Sequence, residues 1–400
     1  MQLRETGVMR APETVLFGAG AAGETGRIVS RYGTRVLICT DSYFASSPRL
    51  AKIADSLRAA DCEVQVLAEA EPELPLTVVE RAVGRAAPLR PECLVALGGG
   101  SSLDLAKLIA LALTAGLPLD RWYGENAVPG STLPVVALPT TAGTGSEVTP
   151  VAVLTDPGRT LKVGISSPFL IPRAAICDPL LTQGAPPEVT AHAGIDALAH
   201  AIEAYCAVRR TRWEDIDGRV FVGQNVLSDS FALRAVSLIG SSLGDAPSDD
   251  PVARENMALG SLYGGLAFGT AGTGLAHALQ YPIGARTGTP HGLGIGLLLP
   301  YTMAFNASAT ANRLAVVGRA LGAGDGAADA VRRVRDLGAE VGIPSRLGAI
   351  GIDSTALGEI AAQALSIDRL IENNPRSVTA EDLRGLLEQA LTGDPDALLP

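Results

Sequence analysis

Along the first 180 residues, short β-rich apolar runs alternate with longer stretches whose apolar positions recur at helical spacing. The pattern predicts strands over Thr14–Phe17, Arg35–Thr40, Glu63–Ala68, Leu94–Leu97 and Pro134–Leu138. Between them it predicts helices over Glu24–Arg31, Pro48–Ala60, Leu76–Ala86 and Ser102–Leu113. Such β-α alternation builds a mostly parallel sheet covered by helices. After about Asp178 the β-rich runs stop. Ala/Leu-rich segments of helical period replace them, as in Ser228–Leu243, Ala311–Leu321 and Ala327–Val341. The change falls around Gln183–Pro187, so the reading is an α/β domain over residues 1–184 and an all-α domain over 185–400. No internal repeat or low-complexity tract interrupts either part.

Composition supports two packed domains. The chain has 400 residues, 47% of them hydrophobic and 18% charged, enough to bury a large core. Its formal charge of −10 argues against nucleic acid or an anionic membrane as partner, because phosphate binding needs a basic face. The five cysteines are scattered through apolar runs without a CxxC pair. Buried thiols in a reducing cytoplasm are the expectation. The N-terminal residues lack an apolar signal core and no apolar run is long enough for a membrane span, which agrees with a cytoplasmic location.

Four segments carry candidate chemistry. Gly98-Gly99-Gly100, followed by Ser101 and Ser102, lies between a predicted strand and a predicted helix. Three glycines exceed what a turn needs; they let backbone approach a phosphate at a helix N-terminus, where Ser101 or Ser102 can cap. Gly18, Gly20 and Gly23 form an earlier GxGxxG pattern, which alone is equally an ordinary glycine-rich turn. Asp41, at the end of the next strand, suits ribose hydroxyls and would repel a 2′-phosphate, favouring NAD over NADP. Thr140, Thr141, Thr144 and Ser146 crowd the loop after Leu138, offering short donors to a ribose, an amide or a phosphate.

Only four histidines occur: His192, His200, His277 and His291. Asp196 and His200 are four apart in a strongly helical stretch and so share a face. Both sit among alanines and leucines, where an unpaired charge is costly. With His277 and His291 they form a candidate divalent-metal set for zinc, iron, cobalt or nickel. By spacing alone, satisfied core histidines are the equal alternative. His192, just ahead of this pair, reads as supporting.

Assembled, these segments resemble the iron-containing (group III) alcohol dehydrogenase family over nearly the whole length, from Phe17 to Arg376. The resemblance implies a dehydroquinate synthase-like architecture, with an N-terminal dinucleotide-binding domain, a helical C-terminal domain and a metal between them. It implies Asp196, His200, His277 and His291 as ligands, with Fe2+ first and Zn2+ as alternative. NAD is the implied cofactor, its pyrophosphate at Gly99, Gly100 and Ser101, with Thr140, Thr141, Thr144, Ser146 and Lys162 as further contacts. A small alcohol or aldehyde is the implied substrate, and a homo-oligomer, a dimer, the implied assembly.

Two features depart from the commonest pattern. Tyr281, followed by Pro282, stands where many relatives carry another histidine, and Tyr281 is the candidate proton-handling residue. An extra stretch runs from Arg209 to Arg219. Both are similar to the hydroxyacid–oxoacid transhydrogenase branch. They set an alternative reading, a transhydrogenase or 4-hydroxybutyrate-type dehydrogenase, in which Arg209, Arg210 or Arg212 pairs with a substrate carboxylate.

Overall fold

The computed structural model describes residues 7–159 and 161–400. The N-terminal residues 1–6, read above as lacking a signal core, lie outside the described residues.

Among the described residues nine strands form two sheets: β1 (Thr14–Phe17), β2 (Arg35–Asp41), β3 (Glu63–Ala70), β4 (Cys93–Gly98), β5 (Gly124–Glu125), β6 (Val135–Pro139), β7 (Val151–Leu154), β8 (Val163–Ser166) and β9 (Ala174–Cys177). The main sheet is parallel throughout, in the order β1-β9-β6-β4-β2-β3. A smaller one runs β5-β8-β7. Five helices accompany them: α1 (Thr25–Val29), α2 (Ser42–Ala45), α3 (Pro48–Ala59), α4 (Leu76–Ala86) and α5 (Gly100–Ala115).

Every residue of β4 is buried, as expected of a parallel strand covered on both faces. Alternate side chains feed two cores. Leu37, Leu94, Ala96 and Ala137 join the side chains of α4 and α5, while Val36, Ile38, Val95 and Val136 join those of α1 and α3. From β2 the chain moves outward to β3, then crosses back to β4 and proceeds the other way to β6. The carboxyl ends of β2 and β4 therefore flank the point where the winding reverses. In open α/β sheets that is where a crevice for ligands opens.

The remaining helices are α6 (Pro187–Cys206), α7 (Val226–Ser242), α8 (Pro251–Ala271), α9 (Leu275–Thr287), α10 (His291–Ala320), α11 (Ala327–Glu340), α12 (Leu357–Leu365), α13 (Asp368–Glu372) and α14 (Ala380–Thr392). By contacts the chain divides into two compact units. One comprises Arg10–Gly184 with Gly218–Val220, the other 7–9, Ala185–Asp217 and Phe221–Pro400. The short return segment is pinned to the α/β unit. Arg10 donates to Val220 O at 2.8 Å and Arg219 O at 3.2 Å, Asn126 donates to Gly218 O, and Glu125 accepts from Val220 N.

The α/β-plus-helical class expected from the sequence is the observed one. Four strands, β5 and β7 to β9, were not foreseen. β5 has two residues and the others four each; β8 contains Gly164, and β9 opens on two alanines, which have weak strand preference. All five cysteines are buried free thiols. Among the described residues no helix is long and apolar enough to cross a membrane.

Candidate active site

Asp41 ends β2, and its Oδ1 caps α2 by accepting from Phe44 N at 3.0 Å. Its Oδ2 faces the glycine turn: a Cβ on Gly98 would sit 3.4 Å from it and 2.3 Å from Ser102 Oγ. Gly98 holds φ +149°, a conformation open to glycine. Gly99 is extended and starts α5 without a side-chain cap; Ser102 N turns back to Gly99 O at 3.0 Å, and the amides of Gly100 and Ser101 open the helix. A Cβ on Gly100 would lie 2.7 Å from Thr144 Cγ2, and one on Gly99 would lie 3.5 Å from Thr141 Oγ1. Thr140 N donates to Gly98 O at 3.0 Å. The glycine turn and the threonine loop thus form one cradle with Asp41 at its rim.

Ser146 and Lys162 are engaged elsewhere in the same unit. Ser146 Oγ donates to Asp104 Oδ1 at 2.6 Å, and the Lys162 ammonium pairs with Glu73. Beneath the cradle, Lys107 is buried and donates to Thr149 O at 3.0 Å and Val151 O at 2.8 Å. Burial pulls its ammonium down to about 8, against the charges of Asp104 and Glu147. Burial likewise pushes the Glu147 carboxyl up to about 7, opposed by its own amide and by Lys107.

The earlier glycine pattern has a different occupant. Asp178 accepts from Gly20 N at 3.1 Å and Ala22 N at 3.0 Å. An internal carboxylate holds the position a phosphate would take.

In the helical unit, α6 carries Asp196 and His200 one turn apart, α9 carries His277 in its first turn, and α10 begins at His291. One carboxylate oxygen gathers all three rings. Asp196 Oδ1 lies 3.7 Å from His200 Nε2, 3.6 Å from His277 Nε2 and 3.8 Å from His291 Nε2. These separations are too long for hydrogen bonds. They approach the roughly 3.3–3.6 Å between ligands of a tetrahedral ion bound at about 2.0–2.2 Å. His277 Nε2 is buried without a hydrogen-bond partner, which such an ion would relieve. Asp196, His277 and His291, whose ligand atoms all lie within 4.8 Å of one another, therefore fit a divalent metal, and His200 approaches the set through Asp196. His200 also stacks on Phe268, ring centroids 4.2 Å apart.

Residues unforeseen as site members surround this cluster. Glu203 accepts from Gly274 N at 3.0 Å, Ala276 N at 2.7 Å and His277 Nδ1 at 2.5 Å. Burial alone would raise its carboxyl; the His277 ring beside it, with the two amides, outweighs that and the net direction is down. Arg369, on α13, places its guanidinium 4.7 Å above the Phe221 ring, and its charge acts on His277. The signal for Glu203 was in the sequence: after Asp196 and His200 it is one more charged residue in the apolar stretch that ends α6.

Tyr281 lies one turn beyond His277, its ring centroid 6.3 Å from that of His291. His192 is inside α6 rather than ahead of it, because the helix begins at Pro187 with proline favoured in the first turn. Its backbone carbonyl lies where a Cβ on Gly292 would be, 2.0 Å away. Two of the three nominated arginines engage protein partners through their side chains, and Arg209 forms a backbone bridge to Gln224. Arg212 pairs with Glu214 on an exposed turn, and Arg210 donates to Asn373 Oδ1 and Glu372 O, both at 3.4 Å.

A sequence model described as iron-containing alcohol dehydrogenase matches residues 12–179, and the C-terminal model of the same family matches 190–391. The chain belongs to the iron-containing alcohol dehydrogenase family. As a member of that family it is an oxidoreductase of alcohols and aldehydes. It is 36% identical to the probable alcohol dehydrogenase EutG of Escherichia coli K12, over 98% of this chain and 96% of that protein. The solved structure of a 1,3-propanediol oxidoreductase superposes with a TM-score of 0.89 at 30% identity, covering 96% of this chain and all of that one (100%). A sulfoacetaldehyde reductase of Bifidobacterium kashiwanohense, solved with NAD+, gives 0.84 at 28% identity, covering 97% and 100%.

Proposed function

We propose that the chain is an NAD-linked, metal-dependent enzyme that interconverts small alcohols and aldehydes, working as a homodimer in the cytoplasm. The observation that carries the reading is the convergence of three imidazole nitrogens on Asp196 Oδ1 at 3.6–3.8 Å. Asp196, His200, His277 and His291 would hold the ion, with Fe2+ first, in keeping with the family, and Zn2+ as alternative. Bound there, a divalent ion supplies Lewis acidity to a substrate oxygen. NAD, supported by the NAD+ complex of the sulfoacetaldehyde reductase, supplies the hydride acceptor or donor.

The chain's own residues do the rest. Asp41 takes the ribose hydroxyls and turns away a 2′-phosphate. Gly99, Gly100 and Ser101 bring α5's amides to the pyrophosphate, while Thr140, Thr141 and Thr144 donate from the facing loop. Ser146, bonded to Asp104, braces that loop, and Lys162 adds positive charge beside it. Tyr281 donates its phenol O–H to a substrate oxygen or to a water that relays the proton. The five buried free cysteines agree with a reducing compartment.

A second reading, oxidation of short hydroxyacids, draws on Arg369, a half-buried guanidinium on α13, which packs against α9. A panel of alcohols, aldehydes and 4-hydroxybutyrate, run with NAD(H) and NADP(H) on protein of known metal content, tests both. Loss of turnover on chelation, with recovery on adding Fe2+ or Zn2+, is expected. Full activity in metal-free protein would overturn the reading, and sedimentation checks the dimer.

A further inference from the structure

We propose that Glu203 is a positioning residue. Its carboxylate locks His277 in the Nδ1-protonated tautomer and anchors the start of α9, so that the ring presents the Nε2 lone pair to Asp196. Two backbone N–H groups, from Gly274 (3.0 Å) and Ala276 (2.7 Å), and the His277 ring Nδ1 (2.5 Å) converge on this one side chain. Oε2 accepts from Gly274 and faces the ring nitrogen, and Oε1 accepts from Ala276. With both oxygens already accepting from backbone amides, an ionised carboxylate completes the set by accepting from Nδ1–H as well. A glutamine would confront either Ala276 N or His277 Nδ1 with a second donor. A neutral imidazole has one N–H, and with it held at Nδ1 the other nitrogen must be an acceptor. That other nitrogen, Nε2, is the buried atom without a hydrogen-bond partner, 3.6 Å from Asp196 Oδ1.

A second side chain holds the same connection from its carbonyl side. Asn373 Nδ2 donates to Ala271 O at 3.0 Å and Thr273 O at 2.9 Å. Gly272 at the bend takes φ +82°. Glu203 and Asn373 therefore grip the α8–α9 link by its amides and its carbonyls, but only Glu203 touches the ring. This difference separates holding the backbone from setting the tautomer. It also means that α6 supplies two candidate ligands and, three residues after His200, the group that orients a third.

The inference rests on the cluster being a metal site, yet its central claim is readable without metal. Long-range 1H–15N correlation spectra of the chelated, full-length protein, with His277 assigned by a His277→Gln variant, should show Nδ1–H and a bare Nε2 in the parent. An Nε2–H tautomer there would overturn the proposal. Glu203→Gln should lose the Nδ1–H signature and bind Co2+ about 10–100-fold more weakly. Asn373→Ala should lower the melting temperature while keeping the tautomer and a Co2+ affinity within about threefold of the parent. Equal weakening in the two variants would reduce Glu203 to a backbone brace. Should the parent show the expected tautomer but bind no cobalt, the metal reading fails while the Glu203–His277 pairing stands.

Discussion

Asp41 uses its two oxygens differently, one to cap α2 and one to face the glycine turn. Asp41→Gly should raise the ratio of kcat/KM for NADP over NAD at least about tenfold, through loss of repulsion against a 2′-phosphate, while losing a cap costs about 1 kcal/mol of stability. A parent enzyme that already prefers NADPH would contradict this role. At the metal cluster, His277→Ala removes one of four convergent donors. It is expected to abolish metal retention and turnover with the circular dichroism spectrum unchanged; full metal occupancy with normal rates would refute the assignment. Arg369→Leu addresses substrate charge. If the guanidinium takes a carboxylate, kcat/KM for 4-hydroxybutyrate should fall by about 1.5–3 kcal/mol in transition-state terms while that for 1-butanol holds. Parallel losses on both substrates would retire the hydroxyacid reading. Individual residues were unevenly legible from sequence. Asp196 and His200 announce themselves as polar groups in an apolar helix. Arg369 does not, because its place beside α9 depends on packing between segments almost a hundred residues apart.

Elements were legible where a period repeats long enough to be seen. α4 spans the residues its pattern predicts, and the apolar run of β4 marks the buried centre of the sheet. The four-residue strands β7 to β9 have too few positions to display alternation, so their pairing, a tertiary event, decides them. Strand order was equally hidden, since no local pattern says that β3 is followed by a crossing over β2. That crossing places Asp41 and Gly98 at the reversal point. The glycine turn gives a sharp test of the cradle. Gly100→Ala puts a methyl 2.7 Å from Thr144 Cγ2. It should raise the KM for the dinucleotide about tenfold or more, with a stability change near 1 kcal/mol, read by nucleotide titration and thermal melting. Unchanged nucleotide affinity would mean the pyrophosphate lies elsewhere.

At the scale of the whole molecule, the buried Glu147 links folding to pH. Its carboxyl, pushed up to about 7 from an ordinary 4.5, keeps its proton in the folded chain while the unfolded chain has released it. Stability from this group is therefore full below about 4.5, falls as pH rises towards 7 and is level above. Urea midpoints of Glu147→Gln should show that decline flattened, by a difference of order 2–3 kcal/mol between pH 4.5 and 8. An unchanged slope would mean another group carries it. Lys107 acts oppositely and later: pulled down to about 8 from 10.5, it adds stability as pH rises between those values. The return of Gly218–Val220 to the α/β unit has a consequence for exchanging parts between relatives. The backbone passes from one unit to the other at 9/10, 184/185, 217/218 and 220/221, so no single splice separates them. A nucleotide-binding cassette cut at 184 would leave Arg10 and Glu125 without their partners in Arg219 and Val220. A chimaera that exchanges cofactor preference while keeping substrate preference has to graft the three-residue strap along with the sheet.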